Sequence, residues 1–193
     1  MKIIRDSSEA EMVAIFLGGE INSPRWGKDI EKILSTNKID RTIIVHPDIT
    51  NGKDNLKRAF VLGESRGFGK KDGLFDDLSE ITTWKRIEIG DEDFPKIRYI
   101  DYDYWVNLSG GSRLVIDGVK NIKKGIEIFN KSNRQFIDLA KKIENGYTFP
   151  ELILKYDKTN GLTLLEGHVR LTAYLLVDTN PKPLEVIVGF KKI

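Results

Sequence analysis

The chain has only two histidines and no cysteine, yet one stretch gathers a carboxylate, an imidazole and a guanidinium within five residues: Glu166-Gly167-His168-Val169-Arg170. The apolar, β-rich run Leu162–Leu165 leads into it, and a helical run from Val169 to Val177 follows at once, with Leu171, Tyr174 and Leu175 on one face. Strand, glycine turn and helix in that order aim backbone N–H groups and the positive end of a helix dipole at an anion. A carboxylate placed like Glu166 can accept a proton, hold a magnesium ion, or cap the helix. His168 falls on the first helical turn, where the dipole disfavours a protonated ring, and a neutral imidazole there suits a phosphate or a nucleobase. Arg170 pairs with phosphate or with Glu166 itself. Against all of this stands a plain alternative, a buried turn whose polar groups satisfy one another.

A second anion candidate is Ser109-Gly110-Gly111-Ser112-Arg113. Two glycines free the backbone to wrap a phosphate, two hydroxyls donate, and the arginine can grip bidentately. The loop leads into a helix but lacks the lysine and the spacing of a Walker A loop, and a plain turn with a helix cap explains it equally well. Arg66-Gly67-Phe68-Gly69-Lys70-Lys71 reads as a basic loop able to close over a phosphate or to touch a nucleic-acid backbone, with a solvated surface run as its ordinary explanation. Tyr99, Tyr102, Tyr104 and Trp105 offer rings for base stacking, but the interleaved Asp101 and Asp103 favour core packing beside an acidic face.

The elements that must position these groups are read as follows. Ser8-x-x-Glu11 opens a helix through about Leu17, which Gly18-Gly19 ends. Ser23-Pro24 opens a second, with proline at the first helical position and Ile30, Ile33 and Leu34 on its buried face. Thr42–His46 reads as a buried strand closed by Pro47, Asp54–Leu62 as a helix, and Gly63–Gly73 as a loop. Trp84–Ile89 alternates like a half-exposed strand, and Ile97–Ile100 is a further short one. Helices are predicted over Leu114–Ile128 and over Ser132–Asn145, the latter capped by Ser132 or Asn133. The expected fold is α+β: a small mixed sheet with packed helices, closing on a strand–turn–helix–strand unit, in a single domain spanning 1–193 with an insertion of unknown role at about 63–130.

Composition bounds the function. A chain of 193 residues with 40% hydrophobic and 31% charged residues suits a globular protein with a sizeable core. A formal net charge of +2 gives no bulk attraction to nucleic acid, and no apolar run reaches membrane-spanning length. With no leader pattern at the N-terminus, a cytoplasmic location is expected. The absence of cysteine removes disulfides, thiolate zinc sites and thiol nucleophiles.

EGHVRLTAY after a strand, followed by a proline-containing loop and a last strand (Leu184–Phe190), resembles the C-terminal motif of the ParB/sulfiredoxin-like superfamily. Its members carry G-C-H-R, G-E-R-R or D-G-H-H-R at this turn. The last form, from ParB-like free serine kinases, is nearest: Glu166 stands for the Asp, Gly167 and His168 coincide, Val169 replaces the second His, and Arg170 coincides. The resemblance covers about residues 148–192, with a weaker echo in NSPRWGKDIEKI (residues 22–33), where only Pro24 and Arg25 match. It implies a nucleotide-binding protein that uses ATP, ADP or CTP with Mg²⁺ for phosphoryl transfer or nucleotide hydrolysis, with a small-molecule or protein phosphate acceptor. It further implies Glu166 as base or magnesium contact with His168 beside it, Gly167 and Arg170 on the phosphates, and Glu20, Ser23 and Arg25 on the substrate side. Outside the resemblance, the residues themselves add Ser109–Arg113 as a second phosphate clamp and Arg66 as a substrate-side cation. Sulfiredoxin activity is excluded, because His168 stands where those enzymes carry cysteine. The competing expectations are a ParB-like DNA-binding protein or nuclease of a mobile-element or defence system, and a non-catalytic nucleotide sensor.

Overall fold

A computed structural model describes residues 1–70, 75, 78, 80–177 and 181–191. The chain divides into two compact units, a helical one over Ser7–Trp84 and a sheet-bearing one made of Met1–Asp6 with Lys85–Lys191.

In the helical unit, α1 (Glu9–Glu20) starts where the capping pattern predicts: the Ser8 hydroxyl accepts the Glu11 N–H at 3.2 Å. It does not stop at Gly18-Gly19 but runs on to Glu20. Met12, Val13, Phe16, Leu17 and the following Ile21 are buried, and that packing outweighs the roughly 1 kcal/mol that each helical glycine costs. The next helix, α2, spans Gly27–Thr36 rather than beginning at Ser23-Pro24. Ser23 instead forms a turn, its hydroxyl accepting the Trp26 N–H, and a Cβ at Gly27 would lie 2.6 Å from the Ile21 carbonyl oxygen.

Thr42–Val45 is a short helix, α3, and not the predicted strand. Asp40 accepts the Thr42 N–H at 2.8 Å and so opens a helical turn. The guanidinium of the fully buried Arg58 takes the Ile43 carbonyl at 2.8 Å and the Asp48 carbonyl at 2.8 Å. Four apolar residues carry too little periodicity to tell the two forms apart. Helix α4 (Gly52–Arg66) is capped by Asn51 and extends past Gly63, the predicted loop start, to a left-handed Gly67 (φ +80°). The rest of that predicted loop from Lys71 to Gly73 lies outside the described residues. Helix α4 packs on α1, α2 and α3.

The sheet unit holds β1 (Lys2–Ser7), β2 (Ile81–Ile89), β3 (Leu152–Asp157), β4 (Gly161–Glu166) and β5 (Leu184–Lys191) in the order β1-β2-β5-β3-β4, with β1 and β2 each reaching across the unit boundary. Strand β3 pairs antiparallel with β4 and parallel with β5, so the sheet is mixed and the fold α+β as expected. Helices α5 (Asp103–Leu108), α6 (Val115–Lys123), α7 (Arg134–Glu144) and α8 (His168–Leu176) complete the unit, and α8 packs on α6 and α7. The predicted strand at Ile97–Ile100 reduces to bridges at Arg98, to Thr163 on β4 and to Leu114. Helix α6 ends at Lys123, well before Ile128, because Gly125 turns left-handed (φ +77°). The stretch expected as an insertion supplies β2, α5 and α6, and Ile87, Ile89, Tyr99 and Val115 from it sit in the sheet unit's core. Among the described residues no helix is long and apolar enough to cross a membrane.

Candidate functional site

The Glu166 turn owes its shape to a bulge. Ile153 faces Glu166 while Leu154 faces Leu164, so Leu165 is an extra residue at the end of β4. Gly167 then takes φ +98°, ψ 21° and starts α8. A Cβ there would overlap the Leu152 Cδ2 methyl, so both the backbone conformation and the space require glycine.

Glu166 and Arg170 form an ion pair. Glu166 Oε1 accepts from Arg170 Nη2 at 2.6 Å and from the Gly167 N–H at 2.8 Å. Arg170 Nη1 donates to the carbonyls of Pro150 at 2.8 Å and Glu151 at 3.0 Å. Both side chains are largely covered, at 14% and 17% exposure. Of the two partners weighed for Arg170, the geometry therefore displays the carboxylate, and the arginine ties the first turn of α8 to the chain entering β3. A second alternation of charge lies next along the chain: Arg86 meets Glu151 at 3.0 Å and Glu185 at 2.7 Å.

His168 is buried, its ring stacked on Trp105 at 5.0 Å between centroids and 18° between planes. Trp105 in turn stacks on Tyr99 at 4.7 Å. The Tyr99 hydroxyl and Thr172 Oγ1 are 2.7 Å apart, and Thr172 donates to the His168 carbonyl at 2.7 Å, so Tyr99 is the donor in the first contact. Burial pushes the Tyr99 hydroxyl above its ordinary value, which keeps it protonated and able to donate. Helix α6 approaches this ring through Gly118, where a Cβ would lie 2.7 Å from the Tyr99 oxygen. Tyr99, Tyr104 and Trp105 thus serve as packing, and Tyr102 alone of the four is exposed.

Ser109–Arg113 is a turn whose side chains bond inward. The Ser109 hydroxyl accepts the Arg113 N–H at 2.9 Å and donates to the carbonyls of Trp105 and Val106. Ser112 accepts the Leu114 N–H at 3.1 Å and donates to Asp117 at 2.8 Å. Arg113, itself left-handed at φ +62°, closes Nε and Nη2 on the Tyr99 carbonyl at 3.1 and 2.9 Å. Hydrogen bonds from Lys120 and Ser112 hold the Asp117 carboxyl below its ordinary value. Gly110 and Gly111 both have positive φ, as expected of this turn.

The residues expected on the substrate side, Glu20, Ser23, Arg25 and Arg66, all belong to the helical unit. Ser23 donates to Glu20 at 2.7 Å. The Trp26 ring carries the Arg66 guanidinium at 4.1 Å and the Arg25 guanidinium at 4.9 Å, so two of the expected residues converge on a tryptophan that sequence reasoning passed over. Thr172 was missed as well, although its spacing of four from His168 is the spacing at which a threonine hydroxyl reaches back to a helical carbonyl. The Leu165 bulge has no signal in the residue types.

Among the described residues no group of three or more His, Asp or Glu side chains converges as a metal cage does. At the turn, Glu166 is the one carboxylate, and one of its oxygens is shared by Arg170 and Gly167. That donor set does not fit a resident protein-held cation. No protein-family model, curated protein or solved structure matches the chain.

Proposed function

We propose that the sheet unit is a nucleotide-binding domain of the ParB/sulfiredoxin-like kind, that ATP, ADP or CTP places its phosphates at the Gly167 turn, and that phosphoryl transfer or nucleotide hydrolysis follows. The observation that carries this reading is the start of α8: its N-cap is a left-handed glycine with no side-chain cap, so no carboxylate or hydroxyl bonds at the cap position of this nine-residue helix. A phosphate supplies what a cap would supply, accepting first-turn N–H groups at the positive end of the dipole. Glu166 bonds the Gly167 N–H with one oxygen, and its carboxylate stands one residue from the bound phosphates as base for the attacking hydroxyl or water. Arg170 acts through Glu166, as a positioning residue. His168 follows the turn directly, with its ring stacked on Trp105.

Thermal-shift titration with ATP, ADP and CTP, each with and without Mg²⁺, tests binding: a ligand at about 100 times its Kd stabilises by about 2.7 kcal/mol. One of the three nucleotides should raise the Tm, and no shift from any of them at millimolar concentration overturns the reading. Phosphate release then tests turnover. Glu166→Gln preserves hydrogen bonding but removes the charge, and should lower turnover on the order of 10²-fold or more.

The pairing of Glu166 with Arg170 favours a second reading, a domain that senses a nucleotide without turning it over, because the carboxylate oxygen that would take a proton is already engaged by a guanidinium and a backbone N–H. A nucleotide-dependent Tm shift with no phosphate release from the wild type selects the sensor.

A further inference from the structure

We infer that the outer edge of β1 is a self-complementary interface through which two copies of this chain join their sheets. Strand β1 ends the sheet order, with no strand on its outer side among the described residues. Lys2 through Asp6 are all exposed, with Ile3 at 59% and Ile4 at 45%. An exposed edge strand with two isoleucines is a template for further pairing unless its charges oppose it.

The charges of β1 choose a register instead. Successive side chains alternate faces, so Lys2, Ile4 and Asp6 form one stripe: positive, apolar, negative. In an antiparallel two-fold pairing centred on Ile4, Ile4 meets the partner's Ile4, Lys2 meets the partner's Asp6, and Asp6 meets the partner's Lys2. On the other face Ile3 lies against the stem of the partner's Arg5. A one-residue slip one way puts Lys2 opposite the partner's Arg5, and a slip of two the other way puts Arg5 opposite the partner's Arg5. Directly opposed like charges destabilise a strand pair, so these slips are disfavoured. The remaining near registers form no Lys–Asp pair.

Charges on the neighbouring strand extend the match. Asp6 already meets Lys85 at 2.8 Å and Lys2 meets Glu88 at 3.5 Å. Across the joined edges the order becomes Lys85, Asp6, the partner's Lys2 and the partner's Glu88, with every neighbour of opposite sign. The symmetry is that of an isologous dimer, in which each patch serves as its own complement.

Sedimentation velocity over a concentration series, on the full chain, tests the inference with a charge exchange. The wild type should show a concentration-dependent dimer. Lys2→Asp alone and Asp6→Lys alone each place like charges opposite one another at both ends, and should weaken self-association on the order of tenfold to a hundredfold. Mixed in equal amounts, the two variants should recover a dimer, because each supplies the sign the other lacks. Far-UV circular dichroism of each variant establishes that it is folded, and the double variant Lys2→Asp/Asp6→Lys, which restores both cross-strand pairs but sets like charges beside Lys85 and Glu88, should self-associate more tightly than either single variant. A wild type that stays monomeric, single variants that dimerise unchanged, or a mixture that remains monomeric would each overturn the proposal.

Discussion

Two glycine turns in the sheet unit, Ser109–Arg113 and Glu166–Arg170, read alike as letters: small residues, a polar group or two, an arginine, then a helix. They differ in where the polar side chains go. In the first, both serines and the arginine bond to the turn's own backbone and to Tyr99, and the helix behind it is approached by the Ser112 hydroxyl. In the second, the carboxylate takes the arginine and the turn's own Gly167 N–H, and the arginine reaches away to the chain before β3. A turn that consumes its own donors is scaffolding. The other anchors the start of its helix to the chain entering β3.

The largest expected effect comes from glycine. Gly167→Ala combines a left-handed backbone with overlap against Leu152, and should destabilise the protein by about 3–5 kcal/mol in urea unfolding. Gly111→Ala has a similar φ, +93°, but its Cβ meets nothing within 4 Å among the described residues, so the backbone penalty of about 1–2 kcal/mol stands alone. Equal losses at the two positions would break the comparison. Next, Arg170→Ala leaves a largely covered Glu166 carboxylate without its cation and should cost about 3 kcal/mol. Arg170→Lys recovers little of this, since a single ammonium cannot span Glu166 and two carbonyls. Arg113→Ala, which frees the Tyr99 carbonyl, should cost about 2 kcal/mol by the same measurement and leave any nucleotide-induced Tm shift intact.

The smallest effect concerns Asp117. Its carboxyl titrates below 3.8 in the folded chain, held there first by Lys120 and then by Ser112. A depressed value means that the contribution is complete above 3.8 and disappears as pH falls through the lower, folded value. Asp117→Asn should therefore lower stability near neutrality by about 1 kcal/mol or less, and the gap to the wild type should close below about pH 4. A gap that persists in acid would assign the Ser112 bond, rather than charge, as what Asp117 contributes.

Local signals were legible where a residue type acts on the backbone within a few positions. Ser8 and Gly167 are such cases, and the strand–turn–helix at Glu166 could be read directly. Misreadings arose where the deciding partner is distant in sequence. Thr42–Val45 is helical partly because a buried arginine fifteen positions beyond Ile43 claims a carbonyl there. Gly18-Gly19 fails to stop α1 because apolar burial continues past it. Arg170 had phosphate and Glu166 as alternatives and the Arg113 loop a phosphate clamp or a plain turn, and residue type carries no information on which carbonyl will lie within reach. The Leu165 bulge was invisible for the same reason: register is a property of two strands, and only one can be read at a time.

The ring stack beneath α8 makes this region optically addressable. Trp105 lies parallel to His168, the first residue of α8, and to Tyr99, whose hydroxyl reaches the same helix through Thr172. Indole emission depends on what its face touches, so a displacement of the helix start alters the light from one tryptophan in place. The chain has three tryptophans, and replacing Trp26 and Trp84 with phenylalanine leaves Trp105 as the sole emitter. The molecule thus carries a built-in probe of its glycine turn, readable in stopped flow with no added dye.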